Sequence, residues 1–257
     1  MNPILHSIIL GKGRPLVILH GFLGMLDNWK TLGNQYASTG LQVHLVDQRN
    51  HGHSFWSQEF HYDAMAEDLK AYFKYHGLAE AIVLGHSMGG KTAMHFACGN
   101  QEMVTKLIVA DIAPKFYPPH HQGILEALGS LGPEELRSRT AADEALAKKI
   151  PDPATRMFLL KNLYRETKEK LSFRCNLGVL RFKAEEIGEA IGATAVYNGP
   201  TLFLRGGRSE YVSPEDIPEI KRHFPLASVE TIPDTGHWLH AEKPELFFGK
   251  SLEFINS

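Results

Sequence analysis

Gly85-His86-Ser87-Met88-Gly89 places a serine between glycines two residues away on either side, the part of this 257-residue chain best suited to covalent chemistry. It follows the apolar run Ala81-Ile82-Val83-Leu84 and leads into the helix-forming Gly90-Lys91-Thr92-Ala93-Met94-His95-Phe96. A strand, a sharp turn and a helix in that order would present a serine hydroxyl at the tip of a strained turn, ready to attack an acyl carbon. The glycines would let strand and helix pass without Cβ clashes. The same turn aims the backbone N–H of Met88, and the start of the new helix, at negative charge forming beside Ser87 Oγ.

A nucleophile of this kind needs donors for the oxyanion, a base and an acid. Leu16-Val17-Ile18-Leu19-His20-Gly21-Phe22-Leu23-Gly24 reads as an apolar strand that ends in a glycine turn. In a parallel sheet its end lies on the same side as Ser87, so the N–H of Phe22 is the expected second oxyanion donor beside Met88. Fourteen histidines compete for the base. His237 is the choice, because it follows the strand-like Ser228-Val229-Glu230-Thr231-Ile232 and precedes a C-terminal helix near Pro244. Nucleophile first and histidine last is the chain order this chemistry uses on such sheets. His20 and His86 are expected to brace turns, and His51, His53, His120, His121 and His240 to be ordinary histidines. For the acid, the strand Lys106-Leu107-Ile108-Val109-Ala110 follows the Ser87 strand and ends at Asp111, which is the expected partner of His237. Glu210 is the runner-up, and Asp234 is expected to support its own loop.

These residues resemble those of the α/β-hydrolases, and within them the bacterial YbfF-type esterases. The likeness is carried by His20 to Gly24, Asp47 to Ser54, Gly85 to Lys91, Asp111-Ile112-Ala113-Pro114, Gly206-Gly207 with Tyr211-Val212-Ser213, and Gly236 to Pro244. It implies hydrolysis of carboxylic esters, with acyl-CoA thioesters included, through Ser87, His237 and Asp111 and an acyl-enzyme. Many relatives carry an Asp in the loop after Thr201-Leu202-Phe203-Leu204, where this chain has Ser209. The resemblance also implies a mostly parallel eight-stranded sheet flanked by helices, with a helical cap inserted after the sixth strand. Two other readings share the skeleton: a non-catalytic ligand-binding protein, and a carbon–carbon hydrolase, lyase or cofactor-free haloperoxidase using the same three residues.

The elements that must position these residues alternate as short β-like runs and helical stretches, the pattern of a parallel sheet covered on both faces. Tyr62, Met65, Ala66, Leu69, Tyr72 and Phe73 recur at helical spacing over residues 61–76 and predict a covering helix. From Lys115 to Tyr197 no clear strand is legible, and breakers fall at Gly132-Pro133 and Pro151-Asp152-Pro153. The expected division is therefore a core of residues 1–112 and 199–257 and a helical cap of residues 113–198. Between Lys148 and Lys183 there are ten Lys or Arg against three Asp or Glu. A solvated helix face is the first reading of that run, and a basic rim for CoA phosphates, with a contribution from Arg49, is the second.

A formal net charge of −2 exerts no global pull on nucleic acid or a membrane surface. The two cysteines, Cys98 and Cys175, have no metal-like or redox spacing, and Cys98 reads as a small apolar residue. No metal, nucleotide or other cofactor is expected, since neither Gly11-Lys12-Gly13-Arg14-Pro15 nor Gly89-Gly90-Lys91 has the spacing of a phosphate-binding loop. No export signal is legible at Met1 to Ser7, and no apolar run approaches the roughly 20 residues of a bilayer span. A cytoplasmic enzyme acting on a small molecule is the expectation.

Overall fold

Apolar runs rich in Val, Ile and Leu become strands buried from both sides, as parallel strands covered by helices must be. The computed structural model describes residues 3–257. In chain order the strands are β1 (Ser7–Leu10), β2 (Arg14–Leu19), β3 (Leu41–Val46), β4 (Ala81–His86), β5 (Val104–Ala110), β6 (Leu163–Arg165), β7 (Leu171–Phe173), β8 (Thr201–Gly206) and β9 (Ala227–Ile232). Seven of them form one sheet in the order β1-β3-β2-β4-β5-β8-β9, parallel throughout except for β1, which runs antiparallel to β3. The helices are α1 (Lys30–Ser38), α2 (Tyr62–His76), α3 (Met88–Gly99), α4 (Gln122–Gly129), α5 (Arg139–Ala147), α6 (Pro153–Leu160), α7 (Leu177–Phe182), α8 (Ile217–His223), α9 (Leu239–Glu242) and α10 (Pro244–Asn256).

The expected α/β-hydrolase architecture is present, with two corrections. The sheet has seven strands among the described residues, not eight, so the inserted segment follows its fifth strand and not its sixth. Among the described residues no strand precedes β1, and His6 prolongs its pairing with β3 by one residue. The His6 N–H donates to Ser54 Oγ at 2.8 Å, and its carbonyl accepts from Asp47 N–H at 2.9 Å. The second correction concerns the segment between β5 and β8. Beside helices α4 to α7 it holds a small antiparallel hairpin, β6 with β7. Strands of three residues are too short to show a period, which is why none was legible.

Two apolar layers cover the sheet. Leu69, Phe73, Phe96 and Phe203 belong to the core on one face, and Trp29, Tyr36, Leu45 and Phe247 to the core on the other. Helix α2 buries Tyr62, Met65, Ala66, Leu69, Tyr72 and Phe73 as its spacing predicts. His61 caps its start, and Gly77 closes its end in the left-handed conformation (φ 65°). A third apolar cluster joins the inserted segment to the core, with Leu125, Leu128, Leu159 and Leu180 packed with Phe22, Leu23 and Met88. No helix among the described residues is long and apolar enough to cross a membrane.

The turn between β4 and α3 tolerates no added atoms. A Cβ at Gly85 would lie 2.1 Å from the carbonyl oxygen of Gly89, whereas one at Gly99, at the far end of the same helix, would meet nothing within 4 Å. Gly85→Ala should therefore destabilise the protein by about 3 kcal/mol or more, and Gly99→Ala should be neutral or stabilising by up to about 1 kcal/mol. Urea unfolding midpoints of the two variants measure this directly, and similar midpoints would contradict the packing described.

Candidate active site

The carboxyl ends of β2, β4, β5 and β9 converge on one edge of the sheet and bring the predicted residues together. Ser87 sits at the strained turn, with φ 54° and ψ −120°, a region that non-glycine residues occupy only when the surroundings force it. Its Oγ donates to Nε2 of His237 at 2.9 Å, and Nδ1 of His237 donates to Oδ2 of Asp111 at 2.8 Å. Asp111 follows β5, itself at positive φ (50°), and its side chain is fully buried. A carboxylate without water needs donors. The Gly206 N–H supplies one to Oδ1 at 2.8 Å, and the Ser209 hydroxyl bonds Oδ2 beside His237. Glu210 makes no bond to His237, and Asp234 is exposed and paired with Lys243 at 3.2 Å.

The glycine turn after β2 lies against the elbow. A Cβ on Gly21 would fall 2.8 Å from the His86 ring and 3.3 Å from Ser87 Cβ, so this backbone passes closer to the serine than any side chain would permit. The N–H groups of Phe22 and Met88 have no acceptor among the described residues. Two free donors flank Ser87, at the start of α3 and in the glycine turn.

Burial keeps four further histidines neutral, and three of them bond the backbone. His20 donates from Nδ1 to Gly21 O at 2.8 Å and accepts the Gln48 N–H at Nε2 at 3.0 Å. His51 donates to Arg49 O at 2.9 Å and accepts the Leu23 N–H at 3.2 Å. Each ring thus fixes one residue of the turn that carries Phe22. His86 donates to the carbonyl of His237 at 2.8 Å and steadies the loop of the predicted base. His240 stacks on Trp29, with ring centroids 4.3 Å apart. Burial pushes the pKa of His20 down to about 4 and those of His51 and His240 to about 3. Arg49 forms a two-pronged pair with Asp68 of α2 at 2.5 and 2.8 Å, so it braces its own loop.

In the sequence Ser209 reads as the vacant place of an acid, and Tyr211 as part of the family likeness with no role at the site. The Tyr211 ring stacks on His237, with centroids 3.8 Å apart and planes 17° from parallel. Its hydroxyl meets Nε2 of His120 at 2.5 Å, reaching across to the inserted segment. No sequence signal marks the stacking, since the contact joins two loops that only the fold brings face to face.

Two cavities open beside Ser87. The larger, about 730 Å³, is lined by His237, Trp238, Leu23, Ile124 and Phe158 among others. The smaller, about 20 Å³, adjoins it along Phe22, Ser87, His120, His121 and Tyr211 and extends toward Met88, Ile112, Tyr117 and Ile187. The basic run does not crown the larger one. Arg156 pairs with Asp143, Lys170 with Glu166 and Lys183 with Glu186, and of the ten residues Lys161 is the one that lines this cavity. Cys98 and Cys175 are free, and burial raises both thiols to about 12, where they are unreactive.

A family model described as alpha/beta hydrolase fold matches residues 14–193. The chain belongs to the α/β-hydrolase family. Among related α/β-hydrolases, the mouse sn-1-specific diacylglycerol lipase ABHD11 is 38% identical, over 98% of this chain and 85% of its own length. Esterase YbfF of Escherichia coli is 31% identical, over 94% of this chain and 93% of its own. The solved structure of a marine microorganism esterase superposes with a TM-score of 0.95 at 41% identity, covering 98% of this chain and 100% of that one.

The buried rings set an acid limit on stability. His20, His51 and His240 bind a proton more weakly in the folded state, at about 3 to 4, than in the unfolded chain, at about 6.5. Between those values the unfolded chain holds the extra protons, so stability rises with pH and is lost as pH falls below about 6.5. Three such rings together should give a slope approaching roughly 4 kcal/mol per pH unit near pH 5. Urea midpoints at pH 7.5 and 5.0 should differ strongly, and equal midpoints would show that these rings do not titrate as buried groups.

Proposed function

We infer that this α/β-hydrolase is a serine esterase that cleaves uncharged carboxylic esters through an acyl-enzyme. The observation that carries the reading is the unbroken relay from Ser87 Oγ through the His237 ring to the buried Asp111 carboxylate. The esterases and lipases among its relatives support it. In the reading, His237 Nε2 takes the Ser87 proton as Oγ attacks the ester carbonyl carbon. The N–H groups of Phe22 and Met88 receive the oxyanion. His237 then passes its proton to the departing alkoxide, the C–O bond breaks, and the acyl group stays on Ser87. Water, activated by the same ring, attacks the acyl-enzyme and regenerates the serine. Asp111 holds the ring with Nδ1 protonated and offsets its transient positive charge.

A non-catalytic binding protein has no need of a strained serine aimed at a histidine, and backbone strain of about 1 to 3 kcal/mol is retained where something else repays it. Thioesters of CoA suit the same chemistry. Of the ten basic residues, however, Lys161 is the one that lines this cavity, which leaves few cations there for phosphates.

Ser87→Ala and His237→Ala should each abolish ester turnover and leave the fold intact, and the double variant should be about as slow as either single, because the residues act as one unit. Asp111→Asn should lose roughly 10⁴ in rate, the loss known for the corresponding change in a serine protease. Ser209→Ala removes one hydrogen bond to a buried carboxylate and should cost about tenfold. Glu210→Gln and Asp234→Asn should stay near wild type. Steady-state rates on p-nitrophenyl acetate and labelling by a fluorophosphonate measure these effects. Label retained by Ser87→Ala, or a healthy Asp111→Asn beside a crippled Glu210→Gln, would refute the assignment.

A further inference from the structure

The geometry points to an esterase selective for short acyl groups on large apolar alcohols, with the two cavities dividing the substrate between them. This rests on the serine-esterase reading and goes further in assigning sides. A tetrahedral intermediate on Ser87 has fixed directions. Its oxyanion faces the N–H groups of Phe22 and Met88, and its leaving oxygen must face His237 Nε2, from which it collects a proton. His237 lines the larger cavity and not the smaller. The alcohol therefore occupies the larger cavity, and the acyl substituent is left with the smaller.

The smaller cavity, about 20 Å³, has room for about one water molecule, hence for the methyl of an acetyl group or little more. Its wall is built not to yield. The carbonyl of Ile187 accepts the buried Tyr62 hydroxyl at 2.7 Å, and that of Gly188 accepts the Tyr117 N–H at 2.8 Å. Lys91, on the first turn of α3 and fully buried, donates from Nζ to the carbonyl of Lys115 at 2.7 Å and to that of Glu189. The Ile191 N–H donates to Pro114 O at 2.9 Å. The stretch leaving β5 and the stretch returning to β8 are thus stitched to each other and to the helix that carries Ser87. Opening the wall for a longer acyl chain would strand several buried polar groups.

The larger cavity has the opposite character. Helix α6 forms part of its roof and buries Leu159 alone among its residues, while Met157 is 64% exposed. Its lining is predominantly apolar, with Phe158, Trp238, Ile124 and Leu23. Apolar alcohols with long alkyl or aryl groups suit a wide site whose roof is lightly held.

Octyl acetate and ethyl octanoate are isomers with the large group placed on opposite sides of the ester, which makes them a matched test. The wild-type protein should cleave octyl acetate with a kcat/KM on the order of tenfold or more above that for ethyl octanoate, since a single misplaced methylene in a closed pocket costs about that much. Ile187→Ala, which opens the small cavity without touching the relay, should narrow the ratio severalfold, chiefly by raising the rate on ethyl octanoate. Equal rates on the two isomers, a preference for ethyl octanoate, or a ratio unmoved in an Ile187→Ala protein that labels normally would overturn the assignment of cavities. A wild-type protein that takes no fluorophosphonate and cleaves neither isomer would overturn the serine-esterase reading itself.

Discussion

Everything around the site is arranged to hold one residue where the chain would not rest unaided. Ser87, at positive φ, is strained by about 1 to 3 kcal/mol, and three close approaches keep it there. Gly85 passes against Gly89, Gly89 against the carbonyls of Leu19 and His20, and Gly21 against His86 and Ser87 itself. Each contact is of backbone on backbone or nearly so, and each holds because β2 and β4 are neighbours with fixed register. The large cores on both faces of the sheet supply the stability against which so small a strain can be stored. A sheet that could slip would relax the turn and lose the aim of the hydroxyl.

Charge follows the same economy of placement. One buried carboxylate, Asp111, is surrounded by three donors from two loops: the Gly206 N–H and the Ser209 hydroxyl after β8, and the His237 ring after β9. Around it stand histidines that burial keeps neutral. A neutral ring offers one donor and one acceptor, and His20 and His51 use both to tie down successive residues of the Phe22 turn. Protonating either would remove its acceptor and place a second cation near the site. Tyr211 lies flat on His237 and joins it to His120, so the His237 ring is held from the face as well as from its edge.

The inserted segment has two mechanical characters. At its root it is bound through Lys91 to the helix that follows Ser87 and through Tyr62 to α2, while Tyr117 ties its own stretch of chain together. Burial pushes the Lys91 ammonium down to about 7, and its two carbonyl partners and the Tyr117 ring 5.2 Å away compensate the charge that remains. Toward α6 the segment rests on fewer buried residues and carries exposed Met157 and, beyond it, the hairpin β6–β7. One side of the serine is therefore closed by a buried polar network that resists deformation, and the other by a helix that buries Leu159 alone among its residues and is tied by the Arg156–Asp143 pair.

The sequence by itself determined the parts of this protein that are governed by local rules. The strand-turn-helix at Ser87, the covering helix at Tyr62 to His76, the order of nucleophile and histidine, and Asp111 at the end of the next strand all follow from periodicity, glycine placement and the parallel-sheet rule. Strands of three residues left no period to read, and the count of eight strands rests on the family resemblance and not on any run of residues. What only the tertiary structure decided are contacts between loops far apart in the chain. Ser209 turned from an apparent vacancy into a donor to Asp111 because β5 and β8 lie side by side, their loops 98 positions apart in sequence. The stacking of Tyr211, the placement of all but Lys161 of the basic run away from the larger cavity, and the unequal cavities about Ser87 are likewise products of how segments meet. Spacing along a chain encodes which face a residue presents, but not which distant loop will stand opposite it.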